Sequence, residues 1–357
     1  MNLYVCSTLR HLLFSLLKAC SQPETKSHIF IIADQQNINP DNFEPNSLPA
    51  NVEVHFIMRE NIRAQLYKGF FGSVMKLMAT RNVKTSPTIQ RYIHNALFNR
   101  VLGLDIKFSS QNTLFLYNER NKMSRLFRLA FANYSIIEEG VGNYGSVKLK
   151  PAEQFMNILT GSKRQFRHFG DDSRCTNIYL LNPDKGPSAI QHKIKAIDFV
   201  DDKIITQYGY KFFKYDAQHK YNVIIATQPH VIEEFDLVIY KKFIQALNDN
   251  KIPFAIKVHP REDVEYYKQV FPGVELIDSK IPLELIIFGS LDKCRILSIC
   301  TSAGTGFEKY CTRLNLLKDN ELDSLYEIFD DLVKNNNLID QRIRGLFSND
   351  PILNPKS

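Results

Sequence analysis

Two adjacent glutamates followed by glycines stand near the middle of the chain. Residues 136 to 145 are IIEEGVGNYG, in which Glu138 and Glu139 follow an apolar run that predicts a strand. Because neighbouring side chains of a strand point to opposite faces, only one of the two carboxylates can face a ligand. A glutamate with an ordinary pKa of about 4.3 is ionised at neutral pH and can accept a proton from an attacking hydroxyl. The pair therefore indicates either a catalytic base or a solvated strand end.

The glycines of this stretch also match the dinucleotide fingerprint G-x-G-x-x-G, at Gly140, Gly142 and Gly145. That fingerprint requires a helix directly after the glycines and an acidic residue about 20 positions further on. Neither feature follows here, which argues against a dinucleotide cofactor. We interpret Gly140 and Gly142, together with Asn143, as the side from which an acceptor approaches the carboxylate.

A histidine and a proline end a second apolar strand in the sequence KVHPRED, residues 257 to 263. Proline cannot continue the hydrogen-bonded ladder, so Pro260 ends the strand and His259 is expected at its carboxyl end. An imidazole at that position can be protonated near neutrality and can assist a departing phosphate. The alternative is that His259 is an ordinary turn residue.

Two hydroxyl residues end a third strand in ICTSAGTGFEKY, residues 299 to 310. The small residues after Thr301 and Ser302 predict the first turn of a helix. Hydroxyls and free backbone N–H groups at a helix N-terminus bind phosphate without a metal. The alternative is an ordinary helix N-cap with no ligand.

The elements that carry these residues alternate between short apolar strands and helical patterns, which is typical of parallel sheets covered by helices. The predicted strands of the first half are LYVC (3 to 6), HIFIIAD (28 to 34), VEVHFIM (52 to 58), TLFLY (113 to 117) and YSIIEE (134 to 139), with a leucine-striped helix after the first strand and another helix over 88 to 102. The second series contains NVIIAT (222 to 227), a long helix over 233 to 250, PFAIKVHP (253 to 260), VELID (274 to 278), PLELIIFG (282 to 289), RILSIC (295 to 300) and a further helix.

Two such series predict an α/β protein with two Rossmann-like, doubly wound domains that face a central cleft, because ligands bind at the carboxyl ends of parallel strands. A length of 357 residues is too great for one ordinary core. We expect a first domain over residues 1 to 190, a linker over 191 to 220, and a second domain over 221 to 357. The last helices are expected to pack either on the second domain or back on the first.

Charge and cysteine content limit the partners and the compartment. The 45 basic and 38 acidic residues give a formal net charge of +7, which favours an anionic ligand or an anionic membrane surface. The six cysteines lack a C-x-x-C pair, which predicts buried thiols in a cytoplasmic protein. No apolar run reaches the length of a membrane span, so we expect at most peripheral contact with the cytoplasmic membrane.

Neither a metal nor a nucleic acid is expected as a partner. The chain has no D-x-D triplet in a suitable loop, so no divalent metal and no other cofactor is predicted. Cations alternate with aromatic residues over 120 to 131 and 163 to 169, which is a pattern of single-strand nucleic-acid binders. The first of these stretches also has helical spacing, which favours core aromatics. Nucleic-acid binding remains the non-enzymatic alternative.

Taken together, EEG (138 to 140), HP (259 to 260) and TS (301 to 302) resemble the D/E-D/E-G, HP and S motifs of bacterial sialyltransferases with the GT-B fold. The likeness is greatest to the lipooligosaccharide sialyltransferases and the related capsular polysialyltransferases. The resemblance implies that Glu139, the second acid of the catalytic pair with Glu138, is the general base. It implies that His259 is the general acid or the electrostatic partner of the leaving phosphate. The implied donor and phosphate site comprises Thr301, Ser302, Pro260, Thr227, Gln228 and Glu284.

The same resemblance implies inverting, metal-independent transfer of sialic acid from CMP-sialic acid to a hydroxyl of a bacterial surface glycan, either lipooligosaccharide or capsular polysaccharide. The partners would be the nucleotide-sugar donor and a glycan acceptor, with an anionic glycan among the options. One alternative is a polysialyltransferase that extends a capsular polymer. Another is a related enzyme with a different nucleotide sugar, because Glu138 and Thr301 stand where the family often has aspartate and serine.

Overall fold

The computed structural model describes residues 1–149, 151, 154, 166–216, 221–229, 233–288, 293–317, 331 and 335–353. The chain divides into two compact units, Met1–Lys214 and Tyr215–Ser357. Each unit contains its own parallel sheet and its own apolar core.

The first unit is built on a seven-stranded parallel sheet in the order β3-β2-β1-β4-β5-β8-β9. Its strands are β1 (Asn2–Cys6), β2 (Ser27–Ile32), β3 (Val52–Ile57), β4 (Thr113–Leu116), β5 (Tyr134–Ile137), β8 (Cys175–Leu180) and β9 (Ile194–Ala196). A separate antiparallel pair consists of β6 (Val147–Lys148) and β7 (Phe166–Arg167). The five strands predicted in the first half of the chain are confirmed.

Helices cover this sheet and present apolar faces to it. They are α1 (Leu9–Cys20), α2 (Arg59–Leu66), α3 (Gly69–Arg81), α4 (Pro87–His94), a π-helical continuation over Asn95–Val101, and α5 (Lys122–Arg128). Helix α1 begins because the side chain of Thr8 accepts a hydrogen bond from the amide of His11. The predicted leucine stripe of α1 is buried throughout, which confirms its packing on the sheet.

The first unit extends further along the chain than the predicted limit at residue 190. Strand β9 pairs in parallel with β8, and a helix in three segments follows (Asp202–Ile204, Ile205–Gly209 and Tyr210–Phe212). Residues 191 to 214 therefore belong to the first unit and do not form a linker. The sequence predicts a linker here because prolines and glycines precede β9 and because exposed polar residues interrupt the apolar runs of β8 and β9.

The second unit contains a five-stranded parallel sheet in the order β12-β11-β10-β13-β14. Its strands are β10 (Val223–Ala226), β11 (Phe254–Lys257), β12 (Leu276–Ile277), β13 (Cys294–Ser298) and β14 (Cys311–Asn315), and its helices are α6 (Glu233–Asp249), α7 (Val264–Val270), α8 (Leu283–Phe288) and α9 (Asn336–Ser348). Helix α9 contributes Ile339, Ile343 and Phe347 to the core of this unit. The C-terminal helix is thus a part of the second unit.

Three further observations bear on the sequence predictions. The apolar run PLELIIFG contains helix α8, in which five of the six residues are buried, Glu284 among them. All six cysteines are free thiols, and five of them are buried. No helix in the described part of the chain has both the length and the apolarity that a membrane span needs.

Candidate active site

The two motif glutamates follow β5, one strand away from the point between β1 and β4 where the first sheet reverses its strand order. Strands β2 and β3 lie on one side of β1, whereas β4 and β5 lie on the other. In doubly wound sheets, ligands bind beside such a point at the carboxyl ends of the strands. Glu138 and Glu139 directly follow β5, Asn118 follows β4, and Arg10 lies in the first turn of α1 after β1.

Glu138 is a buried residue whose two carboxylate oxygens both contact groups of the first unit. Its side chain is 2% exposed, and its Oε1 lies 3.1 Å from Nη2 of Arg10. Its Oε2 accepts hydrogen bonds from the hydroxyl of Tyr144 and, at 2.9 Å, from the amide of Leu181. The carboxylate that the resemblance placed in the catalytic pair therefore positions the strand end and does not face solvent.

Glu139, the next residue along the chain, is half-buried. Nδ2 of Asn118 donates to its Oε2 at 2.9 Å, and among the described residues no partner bonds to its Oε1. Burial raises the pKa of Glu139, while the Asn118 hydrogen bond and the charge of Arg10 oppose that shift. A carboxylate with one free oxygen and a raised pKa is a suitable general base.

The loop after Glu139 is a short 3₁₀ turn, Val141–Tyr144, that Asn143 holds in place. Oδ1 of Asn143 accepts hydrogen bonds from the amides of Glu139 at 2.8 Å and of Gly140 at 3.2 Å. Asn143 is buried, so it shapes the loop. Among the described residues, a side chain added at Gly140 would meet no atom within 4 Å, and one at Gly142 would meet only Phe169. The described part of the chain therefore leaves space beside these glycines.

The second unit has its own reversal of strand order, between β10 and β13. The loops that follow the carboxyl ends of β10, β11 and β13 carry Thr227, His259 and Thr301 respectively. The three motif positions that the sequence assigned to this half therefore belong to one edge of one sheet.

The imidazole of His259 is oriented by a hydrogen bond from its own loop to one ring nitrogen, Nδ1. The amide of Arg261 donates to Nδ1 of His259 at 3.1 Å, so in the neutral ring the proton is on Nε2. Burial, with the nearby charges of Arg261 and Lys257, lowers the pKa of His259 to about 4. Burial and these cations favour the neutral imidazole, in which the Nε2–H group is a hydrogen-bond donor.

Thr227 and Gln228 support the loops and are themselves buried, at 4% and 8% exposure. Oγ1 of Thr227 accepts from the amide of His259 at 2.8 Å and donates to Glu262. The side chain of Gln228 accepts from the amide of Cys300 at 3.2 Å. These two residues therefore fix the positions of the His259 turn and of the loop after β13.

The loop after β13 differs from the sequence prediction, because no helix follows Ser302. Residues 303 to 306 form turns, and β14 begins at Cys311. Gly304 has a φ of +77°, and a side chain there would lie 2.4 Å from Cδ1 of Ile296, so only glycine fits. Oγ1 of Thr301 accepts from the amide of Ala303 at 3.2 Å, and Ser302 is exposed. A helix N-terminus is thus absent, and hydroxyls and turn amides remain as possible phosphate ligands.

A buried cation and carboxylate lie near the His259 turn. Glu284 is in the first turn of α8 and is 8% exposed. Burial lowers the pKa of Lys257 to about 8, and the carboxylates of Asp278 and Glu284 oppose the shift. Pro260 lies inside the turn that a hydrogen bond from the Glu262 amide to the His259 carbonyl closes.

The sequence did not predict three residues that contact the motif residues, namely Arg10, Asn118 and Glu262. Each is polar and follows a predicted strand at its carboxyl end, which is the only signal the sequence offered.

The stretch that suggested nucleic-acid binding is largely core: Phe127 and Phe131 are buried, and Arg128 pairs with Asp172. Residues 163 to 165 of the second such stretch and His230 of the ATQPH loop lie outside the described residues.

Comparison with solved structures supports the fold. An α/β-galactoside α-2,3-sialyltransferase from Photobacterium phosphoreum aligns over 87% of this chain and 88% of its own, with a TM-score of 0.51 and 12% identity. A sialyltransferase GT-B domain from Photobacterium damselae aligns over 85% of this chain and 87% of its own, with a TM-score of 0.46 and 14% identity. The fold is therefore of the GT-B class.

Sequence comparison identifies the family. No curated protein matches the chain. The family model of glycosyltransferase family 52 matches residues 51–311, which is more than two thirds of the chain. That match includes the EEG, HP and TS motifs. The chain therefore belongs to glycosyltransferase family 52, the family of bacterial sialyltransferases that its motifs resemble, and is a glycosyltransferase.

Proposed function

We propose that this glycosyltransferase is an inverting, metal-independent sialyltransferase that transfers sialic acid from CMP-sialic acid to a hydroxyl of a bacterial surface glycan. The observation that carries the proposal is Glu139, a half-buried carboxylate with one oxygen available beside an open glycine loop. Family membership supports the sugar-transfer chemistry, and the motif resemblance supports the sialic acid donor.

In the proposed reaction, Glu139 takes the proton of the acceptor hydroxyl. The hydroxyl oxygen forms a bond to the anomeric carbon of sialic acid while the bond from that carbon to the CMP phosphate oxygen breaks. The phosphate leaves with the electron pair, and attack from the opposite face inverts the configuration. His259 Nε2–H donates a hydrogen bond to the departing phosphate, because its Nδ1 is already occupied by the Arg261 amide.

The hydroxyls of Thr301 and Ser302 are proposed as further phosphate ligands. Their supporting turn amides can replace the metal that other sugar transferases use to neutralise the leaving group. Lys257 adds a charge near His259, and the net charge of +7 favours anionic substrates in general. A peripheral position at the cytoplasmic membrane and an anionic glycan acceptor belong to this proposal.

The function is tested by transfer from CMP-sialic acid to purified lipooligosaccharide and to capsular oligosaccharides, with the product detected by mass spectrometry. We expect a product in excess chelator, at a rate close to that without it. A set of other nucleotide sugars serves as the control for the donor. Transfer from a different nucleotide sugar alone would contradict the sialic acid donor, and loss of activity in chelator that magnesium or manganese restores would contradict the metal-free mechanism.

Asn118→Ala is expected to shift the acidic limb of the pH–rate profile to higher pH. The Asn118 hydrogen bond lowers the pKa of Glu139, so its removal raises that pKa further. The base is protonated and inactive below its pKa, so transfer at about pH 5 should fall more than transfer at about pH 8. The measurement is kcat/KM against pH. Asn112→Ala is the control, because Asn112 precedes the same strand and, among the described residues, its side chain bonds only to the Lys107 carbonyl. Identical acidic limbs in the two variants would contradict the role of Asn118.

A further inference from the structure

Two histidines and a glutamate converge on the outer strands of the first sheet. His28 lies on β2, and Glu53 and His55 lie on the neighbouring strand β3. Their ligand atoms all lie within 4.8 Å of one another. Neither the catalytic motifs nor the proposed reaction uses these residues.

The distances within the cluster match the edges of a metal-centred tetrahedron. Nδ1 of His28 lies 3.0 Å from Nε2 of His55 and 3.4 Å from Oε2 of Glu53. Nε2 of His55 lies 3.7 Å from the same Oε2. Zinc binds nitrogen and oxygen at about 2.0–2.2 Å, which places neighbouring ligand atoms of a tetrahedral site about 3.3–3.6 Å apart. The three ligand atoms therefore need to move only a few tenths of an ångström to bind one ion.

The fold fixes these side chains before any ion binds. In the parallel register His28 pairs with Glu53 and Phe30 pairs with His55, so all four side chains share one face. The His55 ring stacks on the buried Phe30 at a centroid distance of 5.0 Å and on His28 at 5.3 Å. Lys26 holds the other carboxylate oxygen of Glu53 at 3.0 Å, which turns Oε2 towards the imidazoles. Such outer contacts orient ligands in metal sites.

The exposure of the cluster gives an ion access from one side. The side chain of His28 is 5% exposed, whereas those of His55 and Glu53 are 17% and 43% exposed. Water can therefore reach the ion as a fourth ligand. Two histidines and one carboxylate with a water are a donor set that zinc uses in proteins.

We propose that His28 Nδ1, His55 Nε2 and Glu53 Oε2 bind one zinc ion, with water as the fourth ligand, and that the ion ties the edge strand β3 to β2. His28 and Glu53 are the second residues of their strands and thus lie at the amino end of the sheet. Glu139 follows the carboxyl end of β5, and β1 and β4 separate β2 from β5. The ion is therefore structural and takes no part in the transfer reaction.

The test is zinc titration of the metal-stripped full chain by calorimetry, together with the cobalt spectrum and the melting temperature. We expect one zinc per chain, a rise in melting temperature with zinc, and a cobalt spectrum without thiolate-to-metal absorption. Both His55→Gln and Glu53→Gln should weaken zinc binding by about 100-fold or more and abolish the thermal shift, since even outer contacts contribute 10- to 100-fold. These partly exposed positions are chosen because the buried His28 could be required for folding.

The matched control is His192→Gln, which removes an exposed histidine of the same unit and should leave zinc binding unchanged. Six free thiols could also bind zinc, and cobalt distinguishes them by thiolate absorption. The proposal is overturned by absence of zinc binding in the wild type, by equal binding in His55→Gln, or by a thiolate spectrum. Since no readout depends on the sugar donor, failure here is independent of the proposed transferase reaction.

Discussion

Glu139→Gln is expected to lower the rate of sialic acid transfer by about 10²- to 10⁴-fold, with donor affinity and melting temperature close to those of the wild type. The amide retains the size of the side chain and an oxygen that can accept the Asn118 hydrogen bond. It cannot take a proton from the acceptor hydroxyl at neutral pH. The measurement is kcat with CMP-sialic acid, combined with CMP binding and thermal unfolding of the same preparations.

Glu138→Gln is the matched control, because it makes the same chemical change at the neighbouring position. We expect this variant to lower stability, since it removes the negative charge of Glu138, whose Oε1 lies 3.1 Å from Nη2 of Arg10. Breaking a buried ion pair costs about 3–5 kcal/mol, so the melting temperature should fall. If Glu138→Gln abolished transfer at an unchanged melting temperature while Glu139→Gln stayed active, the assignment of the base would be reversed.

His259→Ala is expected to lower kcat by about 10²- to 10³-fold, the usual loss when one donor to a developing negative charge is removed. The effect on CMP binding should be smaller, because the Nε2–H bond strengthens as charge develops on the phosphate. The measurement compares kcat with the thermal stabilisation by CMP, which reports binding to the folded state. His259→Gln can place an amide donor near the Nε2 position and should recover part of the rate.

The pH dependence separates the two roles that were considered for His259. Because its pKa is lowered to about 4, the ring is neutral above about pH 5, and its deprotonation should cause no loss of activity between about pH 6 and 8. A basic limb in that interval that the wild type shows and His259→Gln lacks would instead establish a protonated general acid.

The double variant Thr301→Ala with Ser302→Ala is compared with His259→Ala. Since it removes phosphate ligands, it should weaken CMP binding and the transfer rate together. Stabilisation by NAD and none by CMP would contradict the donor assignment.

The sequence predicted the elements whose signal is local. The first five strands and β10, β11 and β13 were found because each is a short apolar run between turn residues. Strands β8 and β9 were missed because partly exposed polar residues interrupt their apolar pattern. Strand β14 was missed because the small residues after Ser302 resemble the start of a helix. In the structure Gly304 is needed for another reason, since a side chain there would collide with Ile296 and Cys311. That packing depends on residues beyond the local pattern.

By itself, the sequence determined the fold class and the family motifs, and it offered two adjacent glutamates as candidates for a base. Our proposal of Glu139 rests on the tertiary structure, because Arg10, 128 residues away from Glu138, forms an ion pair with the first carboxylate. It also places His259 where burial and the charges of Arg261 and Lys257 lower its pKa. The convergence of His28 with His55 required the pairing register of β2 and β3. Side-chain direction, pKa and ligand geometry depend on neighbours that are distant in the chain, and only the folded structure brings those neighbours together.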